Sequence, residues 1–353
     1  MFWHHRGVPA TPTDADDDWA RFGGDPAERR GGPRRGPEPH EPAPRRGRSA
    51  PVDLRDELPP EEYDPELSDE VAAARSRELP TVPVRRLLAL AMAGLSFVLT
   101  VAMVVGSQLA PAPYAFVVFA VQLAFVVIWT VASQPPAPRI VAVVAILAAL
   151  GADLVAVSAN PASLGPLVYV TAGGFVAGVL GQMIRPAGRV RVTESLGSSL
   201  VLVLGVVSIA SLVVLKREPL GTQVINAIVI GAGVALVAAH LFDAGLPVPR
   251  VAPTVPRGGL GIVVGGMLGT AAAGAAGYFL EGLEPLPTAI AGLAAAVIAL
   301  MVDLSADYSE SSRQLAGIAP ALWLVRHMAG PLSAFTLAAP VAYAASTVLA
   351  RGL

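Results

Sequence analysis

Long apolar runs, broken by short polar joins, fill the chain from residue 83 onward. Nine such runs of roughly 18–23 residues can be read, at about 87–109, 113–133, 139–158, 164–184, 195–215, 221–242, 258–280, 286–304 and 329–350. A helix rises about 1.5 Å per residue, so each run can cross a hydrocarbon core of ~30 Å. The joins are punctuated by Pro-Ala-Pro at 111–113, Gln-Pro-Pro-Ala-Pro-Arg at 134–139, Asn-Pro-Ala-Ser at 160–163 and Arg-Pro-Ala-Gly-Arg at 185–189. Inside lipid a backbone must satisfy its own N–H and C=O groups, so each run is read as a helix. The expected fold is all-α: a polytopic integral membrane bundle of about nine transmembrane helices. Residues 312–328 (SRQLAGIAPALWLVRHM) read as a re-entrant or interfacial segment, which leaves the count nine give or take one.

Composition sharpens this picture into two parts. The 353 residues are 54% hydrophobic and 15% charged, with a mean hydropathy of +0.59. Residues 1–86 hold 14 of the 25 basic and 18 of the 27 acidic residues, so the rest of the chain has a membrane composition. Residues 1–82 form a Pro/Arg/Asp-rich segment. Its first sixty residues carry almost no large apolar side chain to offset chain entropy, which predicts a disordered tail. Ser68, Asp69 and Glu70 followed by alanines and then Arg75 and Arg77 predict a short helix near 68–78. The opening residues lack a positive segment followed by an apolar one, so no cleavable signal peptide is expected.

Charge then sets orientation. With the tail inside, the cytoplasmic joins carry Arg85, Arg86, Arg139, Arg185, Arg189, Arg191, Arg250, Arg257, Arg313 and Arg326, against Lys216, Arg217 and Arg351 outside. This predicts a multi-pass protein of the cell membrane with a cytoplasmic N-terminus. The absence of cysteine excludes disulfides, thiolate metal sites and cysteine nucleophiles. No basic stripe of the kind that binds nucleic acid stands out. The partners expected are therefore the lipid bilayer and anionic phospholipid. Glycine- and alanine-dense spans such as GGMLGTAAAGAAG at 265–277 add close helix packing or a homodimer.

A charge in the middle of a bilayer costs roughly 2.5–3.5 kcal/mol on insertion scales, so ionisable residues in spans ask for a reason. Asp153 sits deep in the third run, and His240 and Asp243 end the sixth. Asp303 stands at the end of the eighth, followed by Asp307 and Glu310. Spacings of four and three put those three carboxylates on one face if the helix continues. Such a face is a candidate divalent-ion site. Arg250, Arg257 and Arg313, near the same membrane level, are candidate contacts for a phosphate or lipid headgroup.

These C-terminal residues also carry a family resemblance. Ala252-Pro253-Thr254-Val255-Pro256-Arg257-Gly258-Gly259-Leu260-Gly261 opens onto a glycine-rich span, Val302-Asp303-Leu304 ends the next, and Ala338-Ala339-Pro340 lies in the last. Over residues 240–345 this pattern resembles the phosphatidate cytidylyltransferases (CDP-diacylglycerol synthases). That family has a Ser-Pro-x-Lys-Thr-Trp-Glu-Gly opening, a Gly-Asp-Leu-x-Glu-Ser-x-x-Lys-Arg segment, then His-Gly-Gly-x-x-Asp-Arg-x-Asp and Ala-Ala-Pro. The resemblance implies a polytopic enzyme that uses Mg²⁺ to make CDP-diacylglycerol from CTP and phosphatidate. The departures are equally plain. At ungapped spacing the Asp-Arg-x-Asp positions fall on Gly330, Pro331, Leu332 and Ser333, and His-Gly-Gly on Val325, Arg326 and His327. The Lys-Arg pair falls on Glu310 and Ser311, and the Trp and Glu of the opening on Leu260 and Gly261. Of the signature carboxylates only Asp303 remains, with Arg257 in place of a lysine.

Two anionic substrates need metal-bound carboxylates and basic groups placed together. The expected reading is thus a cytidylyltransferase-like membrane protein that is not catalytic and binds phospholipid or a membrane partner. The alternative is a working enzyme in which Asp307, Glu310 and Asp243 take over the metal. A small-solute transporter ranks third, because it would want polar residues in several spans and paired broken helices.

Overall fold

The computed structural model describes residues 85–184, 191–317 and 322–349. The expected disordered tail and the short helix near 68–78 lie outside the described residues. Among the described residues nine helices run in order: α1 (Arg86–Gly106), α2 (Pro111–Ser133), α3 (Pro138–Ser158), α4 (Gly165–Ile184), α5 (Val192–Lys216), α6 (Gly221–Gly245), α7 (Gly259–Phe279), α8 (Pro285–Leu315) and α9 (Trp323–Leu349). All nine are long and apolar enough to cross a membrane. The protein is a polytopic helical membrane bundle, as the hydropathy pattern predicts.

The helices start and stop where local chemistry requires. Proline occupies the first turn of α2, α3 and α8, where its missing N–H loses no intrahelical bond. Serine and threonine hydroxyls inside the spans mostly donate to the carbonyl one turn back, as Ser96 Oγ does to Met92 O at 2.8 Å. This removes their need for water. Large side chains such as Phe97, Phe116, Leu154, Met267 and Phe279 point outward and are exposed in the isolated chain. Such an apolar rim belongs in lipid rather than water.

The centre of the bundle is formed by α5 and α6. Every residue from Ile209 to Leu215 on α5 is buried, as is every residue from Val224 to Val229 on α6. Against α6 lies α7, and the approach is very close. A Cβ built on Gly265 would fall 2.6 Å from Ala235 O, and one on Gly269 would fall 2.4 Å from Gly231 O. Small residues four apart let the two backbones touch, the packing that the glycine-dense sequence predicts.

Two features depart from the hydropathy pattern. The join between α6 and α7 is an antiparallel hairpin of β1 (Arg250–Ala252) and β2 (Val255–Gly258), with Arg250 opposite Gly258 and Ala252 opposite Val255. And α8 does not end with its apolar run near 304. It continues helically to Leu315. Residues 312–315 of the expected re-entrant stretch therefore close α8, and α9 begins at Trp323, ahead of the expected 329. The polar residues after Leu304 stay helical because one side of them is covered by β2 and α9.

Candidate functional site

Four elements meet at the α6–α7 join. His240 and Asp243, three apart on the last turns of α6, share one face. The hairpin returns the chain over that face. In β2, Val255 and Arg257 are two apart and therefore point the same way, inward, and both are buried. Asp303 and Asp307, four apart on α8, face them from the other side. The first turns of α9 bring Arg326, His327 and Gly330 over the top.

Arg257 is the hub. Its side chain is 3% exposed, and Nη1 donates to Asp243 Oδ2 at 2.7 Å. Nη2 donates to Asp303 Oδ2. Nε lies 3.1 Å from Asp307 Oδ2, within ion-pair distance but without the alignment of a hydrogen bond. Nη1 also lies 2.7 Å from His240 Nδ1. An arginine can only donate, so that contact requires Nδ1 to be the bare nitrogen and leaves the imidazole hydrogen on Nε2. His240 Nε2 in turn faces Asp303 Oδ2 at 3.1 Å. The other Asp243 oxygen accepts from the backbone N–H of Gly258 at 2.8 Å, which pins the hairpin to α6. His327 Nε2 is 4.0 Å from Asp307 Oδ1.

The electrostatics follow from enclosure. Burial alone would favour a neutral guanidinium, but the carboxylates of Asp303, Asp307 and Asp243 outweigh it and raise the Arg257 pKa still further. The arginine is permanently charged and acts as an internal counter-ion to three acids.

Glycine makes this closeness feasible. A Cβ on Gly330 would sit 2.4 Å from Asp303 Oδ1, and one on Gly261 would sit 3.0 Å from Asp243 Oδ1 and 2.8 Å from Ala239 O. Either side chain would push a helix off the cluster.

Of the residues expected from sequence, Asp303 and Asp307 come together, on Arg257. Glu310 is buried one turn further along and pairs with Arg326, Oε2 to Nη1, at 3.3 Å. Arg257 is enclosed among carboxylates. Arg250 is half-buried at the start of β1. Arg313 donates to Ala132 O at the end of α2, 3.1 Å away, apart from the Arg257 cluster. Asp153 makes an interhelical hydrogen bond: it accepts from Gln122 Nε2 at 3.1 Å, and the same nitrogen donates to Val206 O at 2.9 Å. His327 stands out in the sequence only as a position in the motif register, and nothing in its surroundings along the chain marks it as part of the cluster.

Do these residues fit the Mg²⁺ that the family resemblance implies? Magnesium demands oxygens in octahedral array at about 2.0–2.1 Å. Here the oxygens of Asp243, Asp303 and Asp307 converge on a guanidinium that fills the space between them. Among the described residues no group of three His, Asp or Glu side chains is disposed to hold a metal ion. With Arg257 in place the site does not fit the metal.

Beside the cluster, α7 and α8 enclose an apolar groove of about 620 Å³, lined among others by Ile262, Met267, Thr270, Leu293, Leu300 and Met301. Its Ile262 and Leu300 end lies within one turn of Gly261 and Asp303 in the sequence of each helix. Comparison with protein-family profiles, with curated proteins and with solved structures finds no match for this chain.

Proposed function

We propose that this chain is a non-catalytic membrane protein of cytidylyltransferase-like layout that binds phospholipid. The observation that carries this reading is Arg257 at the centre of Asp243, Asp303 and Asp307. Cytidylyl transfer between two anionic substrates calls for a cation that can hold phosphate oxygens. A guanidinium already committed to three carboxylates cannot do this, and it keeps a metal from those carboxylates. The motif register supports the same reading. Gly330, which stands where the family pattern has its first aspartate of Asp-Arg-x-Asp, packs directly on Asp303. A glycine at this position offers no carboxylate beside Asp303. The α7–α8 groove supplies an apolar channel for one acyl chain beside the polar cluster, and the arginine distribution supports a cell-membrane protein with its N-terminus in the cytoplasm.

The second reading, an active phosphatidate cytidylyltransferase, is favoured by one fact: three carboxylates do converge, and they would form a metal cage if Arg257 swung out. Purified protein given CTP, phosphatidate and Mg²⁺ separates the two. A non-catalytic chain releases no pyrophosphate above background. Robust turnover that Asp303→Asn abolishes would establish the enzyme instead.

A further inference from the structure

A second polar site lies on another face of α8. The C-terminal ends of α2 and α8 and the first turns of α9 enclose a cavity of about 260 Å³, lined in part by Ser133, Glu310, Arg313 and Arg326. It adjoins the Arg257 cluster, but none of His240, Asp243, Arg257, Asp303 and Asp307 lines it, and it shares no lining residue with the apolar groove. Along α8 the groove residues Leu293, Val297 and Met301 recur every four positions, whereas this cavity takes Val302, Ser305, Ser309 and Arg313. At about 100° per residue those two sets face well apart.

We propose that this cavity binds a phosphate-type oxyanion. Its lining carries two guanidiniums and one carboxylate, a surplus of one positive charge. Arg326 is buried, and Glu310 takes only its Nη1. The Arg326 Nε has no partner at all. The Ser133 hydroxyl, across the cavity on α2, is also buried without a partner. Arg313 gives one N–H to Ala132 O, which fixes the side chain across the cavity from Arg326 and leaves its other N–H groups for a ligand. Buried donors without acceptors are uncommon and costly, and both of these belong to residues that line this one cavity, which favours an acceptor-rich guest. Phosphate fits because its oxygens can accept from donors on α2, α8 and α9 at once. Guanidinium forks match its oxygen spacing. The same chemistry describes free phosphate and the phosphomonoester headgroup of a lipid, and the cavity is large enough for either.

The test uses the full chain in two arms. Calorimetry with inorganic phosphate in detergent measures the free ion. Native mass spectrometry of phosphatidate carried out of mixed phosphatidate–phosphatidylcholine nanodiscs measures the headgroup. Each arm is run on wild type, on Arg313→Gln, and on the pair Arg326→Gln with Glu310→Gln. The paired change removes both partners of the buried ion pair and so strands no charge. Loss of a charge-assisted hydrogen bond should weaken binding roughly ten-fold or more in each variant. Weakening in the phosphate arm alone identifies a free anion as the ligand. Weakening of phosphatidate retention, with competition by inorganic phosphate, identifies the lipid headgroup. If neither arm shows binding that these variants weaken, the proposal fails. Because this site does not involve Arg257, failure here leaves the non-catalytic reading standing, and turnover in the pyrophosphate assay leaves this one standing.

Discussion

Replacing Arg257 by glutamine removes the one cation among three buried acids. Asp243, Asp303 and Asp307, which all contact that one side chain, would then be left with His240, His327 and the Gly258 N–H as neighbours among the described residues. Breaking a single buried ion pair from one side destabilises a protein by about 3–5 kcal/mol, because a desolvated charge is left without a partner. Three acids share this arginine, so the loss belongs at the upper end of that range until a carboxyl takes up a proton and relieves it. For a domain of this size, about 2–4 °C of Tm follows each kcal/mol, so the midpoint should fall by roughly 10 °C or more. Thermal unfolding in detergent, followed by intrinsic tryptophan fluorescence, reads this shift. A charge-balanced variant provides the control. Arg257→Gln combined with Asp303→Asn and Asp307→Asn keeps the shapes of both aspartates, removes two of the three acids, and should recover most of the loss. Non-additivity of that size is the mark of groups that act together. A midpoint for Arg257→Gln within about 2 °C of wild type, or a triple variant worse than the single one, would show that these charges do not hold each other.

Two further outcomes rest on the fold. Gly265→Val places branched carbon against Ala235 O, where even a Cβ comes to 2.6 Å. It should cost about 1–3 kcal/mol and lower the midpoint accordingly, whereas Gly94→Val, on a site with nothing within 4 Å, should not. Because the chain has no cysteine, topology can be read by single substitutions. Glu218→Cys, in the α5–α6 join, should react with a membrane-impermeant maleimide added outside cells, and Ser312→Cys on α8 only after the membrane is opened. The reverse pattern would invert the orientation drawn from arginine placement.

Much of the architecture is legible in sequence because lipid imposes a single rule, helices of a minimum apolar length. The runs at 139–158 and 164–184 coincide almost residue for residue with α3 and α4. Where that rule stops, hydropathy misleads. Asp303, Asp307 and Glu310 can be read as one helical face from spacing, yet their burial depends on β2 and α9 folding back over them, which no local pattern encodes. Arg257 counts as a surface charge on any hydropathy scale, since such a scale holds no term for a partner. Alternation along Val255-Pro256-Arg257 is the one local hint that it points inward, and three residues with a proline among them and two glycines after them are too few to establish a strand. His240 and Asp243 are visible as polar residues ending a span. Their role requires knowing which helix lies opposite.

In this protein Arg257 occupies the space between the carboxylates of Asp243, Asp303 and Asp307. Mg²⁺ titration of the purified chain by calorimetry, alongside Arg257→Ala, tests whether that guanidinium keeps a divalent ion out. The native chain should show no saturable, Asp303-dependent Mg²⁺ binding. Arg257→Ala should gain a new site, because the freed carboxylates of Asp243, Asp303 and Asp307 become available. Tight binding to the native chain that Asp303→Asn removes would mean that the carboxylates hold a metal after all.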